Sequence, residues 1–284
     1  MRSSSALGIG LGLGLLVPGF AATPPSVPAN VVDQAQKQVV AFVGKLADLH
    51  CTEDVVQEKL KANGGTETSS RSQYDYFLYM QGNSYDFQLS ESRLEVGTSK
   101  QRHVPMLLTN GFSTLLLVFH PYYRNGFEFT VGPAESHEGR NLIPVQFTHI
   151  TGSRTPAALA LRGREFPLDL KGTAWVDQST GQVVRIDAGL EHEMTDVGLT
   201  ELNIRVEYTA SARITDQFLL PSRAVIELET PRQHWRNTHV FHNYKLFSTD
   251  ANQDPDVKVR GKDGDADPNA APSPTTPPNI KEQP

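Results

Sequence analysis

FPLDLKGTAWVDQSTGQVVRID, residues Phe166 to Asp187, alternates apolar and polar positions on both sides of a turn. Leu168, Leu170, Ala174 and Val176 fall on one face of a strand, while Asp169, Lys171, Thr173 and Trp175 fall on the other. A period of two is the signature of a pleated strand with one buried face. Ser179-Thr180-Gly181 supplies turn residues, and Val184, Ile186, Ala188 and Leu190 continue the alternation on the return. The stretch therefore reads as an antiparallel hairpin.

The same period extends in both directions. Leu202, Ile204, Val206 and Tyr208 alternate with Glu201, Asn203, Arg205 and Glu207. Ala224, Ile226 and Leu228 follow Pro221, and His234 to Phe247 closes the pattern. Upstream, Ile143, Val145 and Phe147 form one run and Phe127, Phe129 and Val131 another. Tyr74, Tyr76, Leu78 and Met80 share a face, with Phe77 and Tyr79 opposite. Gln81-Gly82-Asn83 turns the chain into Tyr85, Phe87 and Leu89. Val56, Glu58 and Leu60 place a strand that ends at Asn63-Gly64-Gly65. FSTLLLVFH, Phe112 to His120, is apolar without a period, so it fits a buried strand or a short helix. Roughly ten or eleven strands result, which makes the chain mainly antiparallel β with a few helices.

One helix precedes the strands. Val32, Ala35, Val39, Phe42, Val43 and Leu46 recur at spacings of three and four after Asn30, a suitable N-cap. Upstream of it, Arg2 is the only charge before Asp33, Ala6 to Val17 is uncharged and apolar, and Ala21 and Ala22 are small. This is the layout of a secretory signal, residues 1–22, cut near Ala21 or Ala22. The 12-residue apolar run is shorter than the ~20 residues that span a bilayer. Residues 23–29, with three prolines, read as a linker. A single domain is expected over residues 30–248. Residues 249–284 hold seven prolines and few large apolar side chains, which predicts a disordered tail.

Composition narrows the function classes. The chain has 26 basic and 32 acidic residues, a net charge of −6. Loss of Arg2 on cleavage leaves 25 against 32, or −7. A mildly acidic exported protein is a poor partner for nucleic acid or anionic lipid. The lone Cys51 excludes an intramolecular disulfide and, lying far from the cleavage point, gives no site for lipid attachment there. The mature protein is expected to be periplasmic or secreted, with no membrane span.

The search for catalytic or metal-binding groups yields none. His234 and His242 share strand parity but lie eight residues apart, about 26 Å in extended chain, and His239 points to the opposite face. Glu191-His192-Glu193 places its side chains on diverging sides. HExxH, phosphate-loop and dinucleotide motifs are missing, and Ser113 lacks the glycine context of a nucleophile elbow. Asp263, Asp265 and Asp267 resemble the start of a calcium loop, but Pro268 and Pro274 stand where Gly and Glu are required. No cofactor or metal is called for, and an enzyme is not expected. What stands out is apolar material on both faces of several strands. A curved sheet could offer Tyr76, Phe87, Phe112, Leu116, Phe119, Phe129 and Trp175 to a hydrophobic ligand.

GTAWVDQSTGQVVRI (Gly172 to Ile186), Val206-Glu207-Tyr208 and FLLPS (Phe218 to Ser222), behind a signal sequence and one amphipathic helix, form an order of elements with a parallel. The chain resembles the periplasmic lipoprotein-carrier and lipoprotein-sorting superfamily of Gram-negative bacteria, the LolA/LolB/RseB type. The motif match covers about residues 166–230. The resemblance implies an unclosed β half-barrel with helices plugging its concave side. It also implies a soluble carrier for a hydrophobic small molecule, lipid or lipoprotein acyl chain. The acidic surface and the tail suggest an alternative, an envelope sensor or scaffold with a protein partner. A hydrolase is a third reading and would need a histidine converging with a carboxylate and a nucleophile.

Overall fold

The computed structural model describes residues 30–46, 49–81, 87–97, 109–161, 164–211 and 218–246. The signal, the linker, the tail, the turn at Gly82-Asn83 and Tyr85 lie outside the described residues. The described ones all belong to a unit that ends at Phe247.

Helix α1 (Val31–Leu46) starts where the sequence places it, and the Asn30 carbonyl accepts the first helical bond from Gln34 N at 3.0 Å. Val31, Ala35, Val39, Phe42 and Val43 form its buried stripe. The strands that follow are β1 (Leu49–Leu60), β2 (Thr66–Gln81), β3 (Gln88–Glu95), β4 (Thr109–Asn110), β5 (Phe127–Val131), β6 (Glu135–His137) and β7 (Arg140–His149). They continue as β8 (Ala158–Leu161), β9 (Arg164–Pro167), β10 (Leu170–Asp177), β11 (Val183–Leu190), β12 (Glu201–Ala210), β13 (Leu219–Thr230) and β14 (Gln233–Leu246).

Eleven strands make one antiparallel sheet in the order β3-β2-β1-β14-β13-β12-β11-β10-β7-β5, with β6 also on β7. Its two ends, β3 and β5, do not pair with each other, so the sheet is an open half-barrel. The remaining three, β4, β8 and β9, are two to four residues long and form a separate small sheet. These strands are too short to show a period, so the count from sequence matches the main sheet and omits the small one.

The β10–β11 hairpin forms as its alternation requires. Ala174 pairs with Ile186 and Gly172 with Ala188. The turn is held by the Asp177 carboxylate, which accepts from Ser179 N at 2.8 Å, Ser179 Oγ at 2.5 Å and Thr180 N at 3.1 Å. Burial pushes this carboxyl upward, but those donors outweigh it and hold it below the usual carboxylate range. Gly181 takes the left-handed φ of 74° that closes the turn. In the strand, a Cβ on Gly172 would stand 2.3 Å from the Asp187 carbonyl oxygen and 2.8 Å from Phe147 Cζ. Only glycine lets the strands and the Phe147 ring approach this closely.

The apolar run left open in sequence is a 3-10 segment, Leu115–Phe119, and all five of its side chains are buried. A five-residue run enclosed on all sides has no polar face to set a period. Pro121 then opens the short helix α2 (Pro121–Arg124), with His120 as its N-cap. The 3-10 segment packs against α1, α2 and β11. Among the described residues no helix is long and apolar enough to cross a membrane.

Candidate functional site: the concave face and its cover

Residues paired directly across antiparallel strands lie on the same face, so the pairing defines rows across the concave side. One row runs Val55, His239, Ala224, Val206, Ile186, Ala174, Val145. The next runs Gln57, Asn237, Ile226, Ile204, Ala188, Gly172, Phe147, Phe129. From β13 onward both rows are apolar. At β1 and β14 they turn polar.

The polar end contains a buried ion cluster. Glu53 is fully buried and faces inward between Cys51 and Val55. Arg93 Nε donates to its Oε2 at 2.6 Å and Arg93 Nη2 to its Oε1 at 3.1 Å. Arg93 Nη2 also meets Glu91 Oε2 at 3.1 Å. His239 Nδ1 lies 2.8 Å from Glu53 Oε1. Burial alone would raise the Glu53 carboxyl, yet the His239 and Arg93 bonds win and hold it below the usual range. Burial pushes Arg93 the other way from its carboxylates, and these win too, keeping it protonated. Burial also pushes the Cys51 thiol up to about 12.

This cluster reaches the cover. Glu91 Oε1 accepts Gly111 N at 2.9 Å and Ser113 Oγ at 3.3 Å, and Tyr76 OH lies 2.6 Å from Ser113 Oγ. Arg93 sits over the Tyr76 ring, 4.9 Å from its centroid. On the other side, Tyr208 OH accepts Leu116 N at 3.2 Å. The segment from Gly111 to Phe119 is therefore tied to β2, β3 and β12 by a handful of polar bonds, and otherwise by apolar contact.

The residues suggested from sequence divide into three groups. Tyr76, Phe87, Phe112, Leu116 and Phe119 belong to the buried core cluster. Phe87 stacks on His120 with centroids 4.4 Å apart, and Phe119 stacks on Phe129, a partly buried ring, at 5.3 Å. Trp175 lies on the other side of the sheet from Ala174 and Val176, with the Arg185 guanidinium 3.7 Å over its ring. It lines an outer groove of about 570 Å³ with Glu135, His137, Arg140, Arg185 and Glu207. On the inner side, a crevice of about 20 Å³ opens between α1 and the sheet, lined by Val39, Phe42, Leu116, Val183, Phe218 and Leu219.

The histidines separate as their parity requires. His239 is inside on Glu53, His242 Nε2 meets Asp54 Oδ2 at 2.7 Å on the outer side, and His234 lies 3.9 Å from Glu227. Among the described residues no three His, Cys, Asp or Glu side chains gather as a metal site. His239 and Glu53 have the orientation of a base and its orienting carboxylate, but His239 Nε2 meets no nucleophile. Ser113 binds Tyr76 and Glu91 instead. Sequence reading missed Glu53, Glu91, Arg93, Gln57 and Asn237. The available signal was parity: Glu53 and Gln57 share the register of Cys51 and Val55, and Asn237 and His239 that of Phe241.

No family model and no curated protein matches the chain. Solved structures similar in fold include a DUF1329 family protein from Desulfovibrio piger ATCC 29098, at 9% identity and TM-score 0.38, covering 76% of this chain and 92% of that one. An outer membrane lipoprotein-sorting protein domain from Vibrio parahaemolyticus matches at 7% identity and TM-score 0.42, covering 77% and 92%. MucB in complex with MucA(peri) matches at 10% identity and TM-score 0.21, covering 75% and 99%. At this level of similarity the chemistry of the site rests on the residues of this chain alone.

Proposed function

We propose that this chain is a binding or carrier protein for a hydrophobic ligand, a lipid or lipoprotein acyl chain, and that it acts in the periplasm after export. The observation that supports the reading is the continuous apolar concave face from β13 to β5, on an unclosed sheet, under a cover that is not part of that sheet. A sheet that stays open needs something to occupy its concave side. Here α1 and the 3-10 segment do so, with Val39, Phe42 and Leu115 to Phe119.

The crevice of about 20 Å³ has room for little more than a water. Ligand pockets run to ~300 Å³ or more. A bound acyl chain therefore replaces part of the cover. Apolar contacts exchange at little net cost when one alkyl surface substitutes for another. Val39, Phe42, Leu116, Val183, Phe218 and Leu219 mark the entrance.

Lipid extraction of the purified chain followed by mass spectrometry, together with titration of a fluorescent fatty acid, tests this. Co-purifying lipid or saturable uptake is expected. Val183→Trp, which overfills the entrance, should reduce uptake and cost about 1–3 kcal/mol of stability. A protein that carries no lipid and takes up no fatty acid overturns the reading.

A further inference from the structure

Asn237 is 2% exposed, and neither its Oδ1 nor its Nδ2 has a hydrogen-bond partner. Exchanging the two atoms would change nothing, since both are unpartnered. Gln57 Nε2 and His239 Nε2 are buried and unpartnered as well. Gln57 stands directly opposite Asn237 across β1 and β14, and His239 is two residues from Asn237 on the same face. Facing Cβ atoms at such positions are ~5 Å apart, so two amides there could bond one another. They do not. Each orphaned atom forfeits the hydrogen bond that water gives it in the unfolded chain. Four such atoms on one face of two adjacent strands are a persistent expense unless something binds them.

We infer that Gln57, Asn237 and His239 form a buried polar subsite that hydrogen-bonds the neutral head of an amphipathic ligand, an alcohol or amide at the end of an acyl chain. The inference rests on the hydrophobic-ligand reading above and specifies which end of the ligand goes where.

The chemistry of the atoms selects the head. Nδ1 of His239 faces the Glu53 carboxylate and so carries a ring hydrogen, which makes Nε2 the acceptor whenever the ring is neutral. Asn237 Nδ2 and Gln57 Nε2 donate, and Asn237 Oδ1 accepts. A group that both donates and accepts matches this set, as a hydroxyl or a primary amide does. A carboxylate or phosphate does not. The adjacent cluster already sets two carboxylates, Glu53 and Glu91, around one guanidinium, Arg93, and a further anion beside it is repelled. The apolar part has a path as well. Ile226, Ile204 and Ala188 continue the row from Asn237.

The experiment compares two probes with one tail, 1-monooleoylglycerol and oleate, titrated against the purified chain by native mass spectrometry at near-neutral pH. The neutral lipid should bind about tenfold more tightly, and Asn237→Leu should reduce that preference to about twofold. Gln57→Leu should do the same. Both variants should keep their affinity for oleate and unfold at higher temperature, because an unpaired buried amide has become apolar. A purely structural Asn237 would leave the preference unchanged. Equal binding of the two probes to the native chain, or a preference that survives both substitutions, overturns the subsite and leaves the hydrophobic-ligand reading intact. Binding of neither probe overturns both.

Discussion

The concave face is shared by two regions of opposite chemistry. Across β5, β7 and β10 to β13 the inward positions are mostly Val, Ile, Leu, Ala and Phe, with Gly172, His149 and Tyr208 among them, and apolar burial dominates. Across β1, β2, β3 and β14 they include Glu53, Gln57, Tyr76, Glu91, Arg93, Asn237 and His239. The first region is non-directional, so it accepts any apolar surface laid on it. The second is directional, and each group there demands a partner of fixed geometry. The difference teaches a division of labour. One half can hold any apolar surface, while the other can bond only a group of matching geometry.

The largest separation between the halves should appear on breaking the ion cluster. Arg93→Met leaves Glu53 and Glu91 buried without their cation, and should destabilise the chain by about 3–5 kcal/mol in a denaturant titration. A loss under ~1 kcal/mol would show that solvent reaches the cluster. Acid should act on the same half. A carboxyl held below its ordinary value in the fold releases its proton before the unfolded chain does. The contribution of Glu53 is therefore complete above the ordinary glutamate range, near pH 4.3, and is lost as the pH falls through its lower folded value. A urea midpoint followed from neutral pH to about pH 3 should fall over that window, and more steeply than in Glu53→Gln.

In the apolar half, Gly172→Ala forces a methyl against the Asp187 carbonyl and the Phe147 ring, and should cost about 1–3 kcal/mol. If it is neutral, β10 and β11 can spread. The smallest effect is expected where the halves meet. Tyr76→Phe removes the bond to Ser113, worth ~1 kcal/mol, and loosens the cover over Gly111 to Phe119. Hydrogen exchange at Leu115 to Phe119 should quicken more than at β10. Equal acceleration in both would mean the cover does not open separately.

The apolar half was legible in sequence because its pattern is regular. The Leu170 to Leu190 hairpin, β12 and the Asn30 helix follow directly from periods of two and 3.6, whereas Phe166 and Pro167, read as part of that hairpin, belong to β9 in the small sheet. The polar half was not. Glu53 shares the parity of Cys51 and Val55, but only its partner shows how a carboxylate is held inside, and that partner, His239, lies 186 positions away. Sequence cannot display a pairing across that separation. FSTLLLVFH lacks a period because all of Leu115 to Phe119 is enclosed. Trp175 alternates with Ala174 and so stands on the outer face, under the Arg185 guanidinium.

The charges on β3 carry one more consequence. It is the terminal strand of the main sheet among those described, and the outer backbone of a terminal strand is where a further extended chain would add. A newcomer continuing the sheet there would set its own inward residue beside Glu91 or Arg93. An apolar aggregating segment has nothing to offer that neighbour. The cluster that grips the cover therefore also makes the β3 end of the sheet a poor template for a further apolar strand.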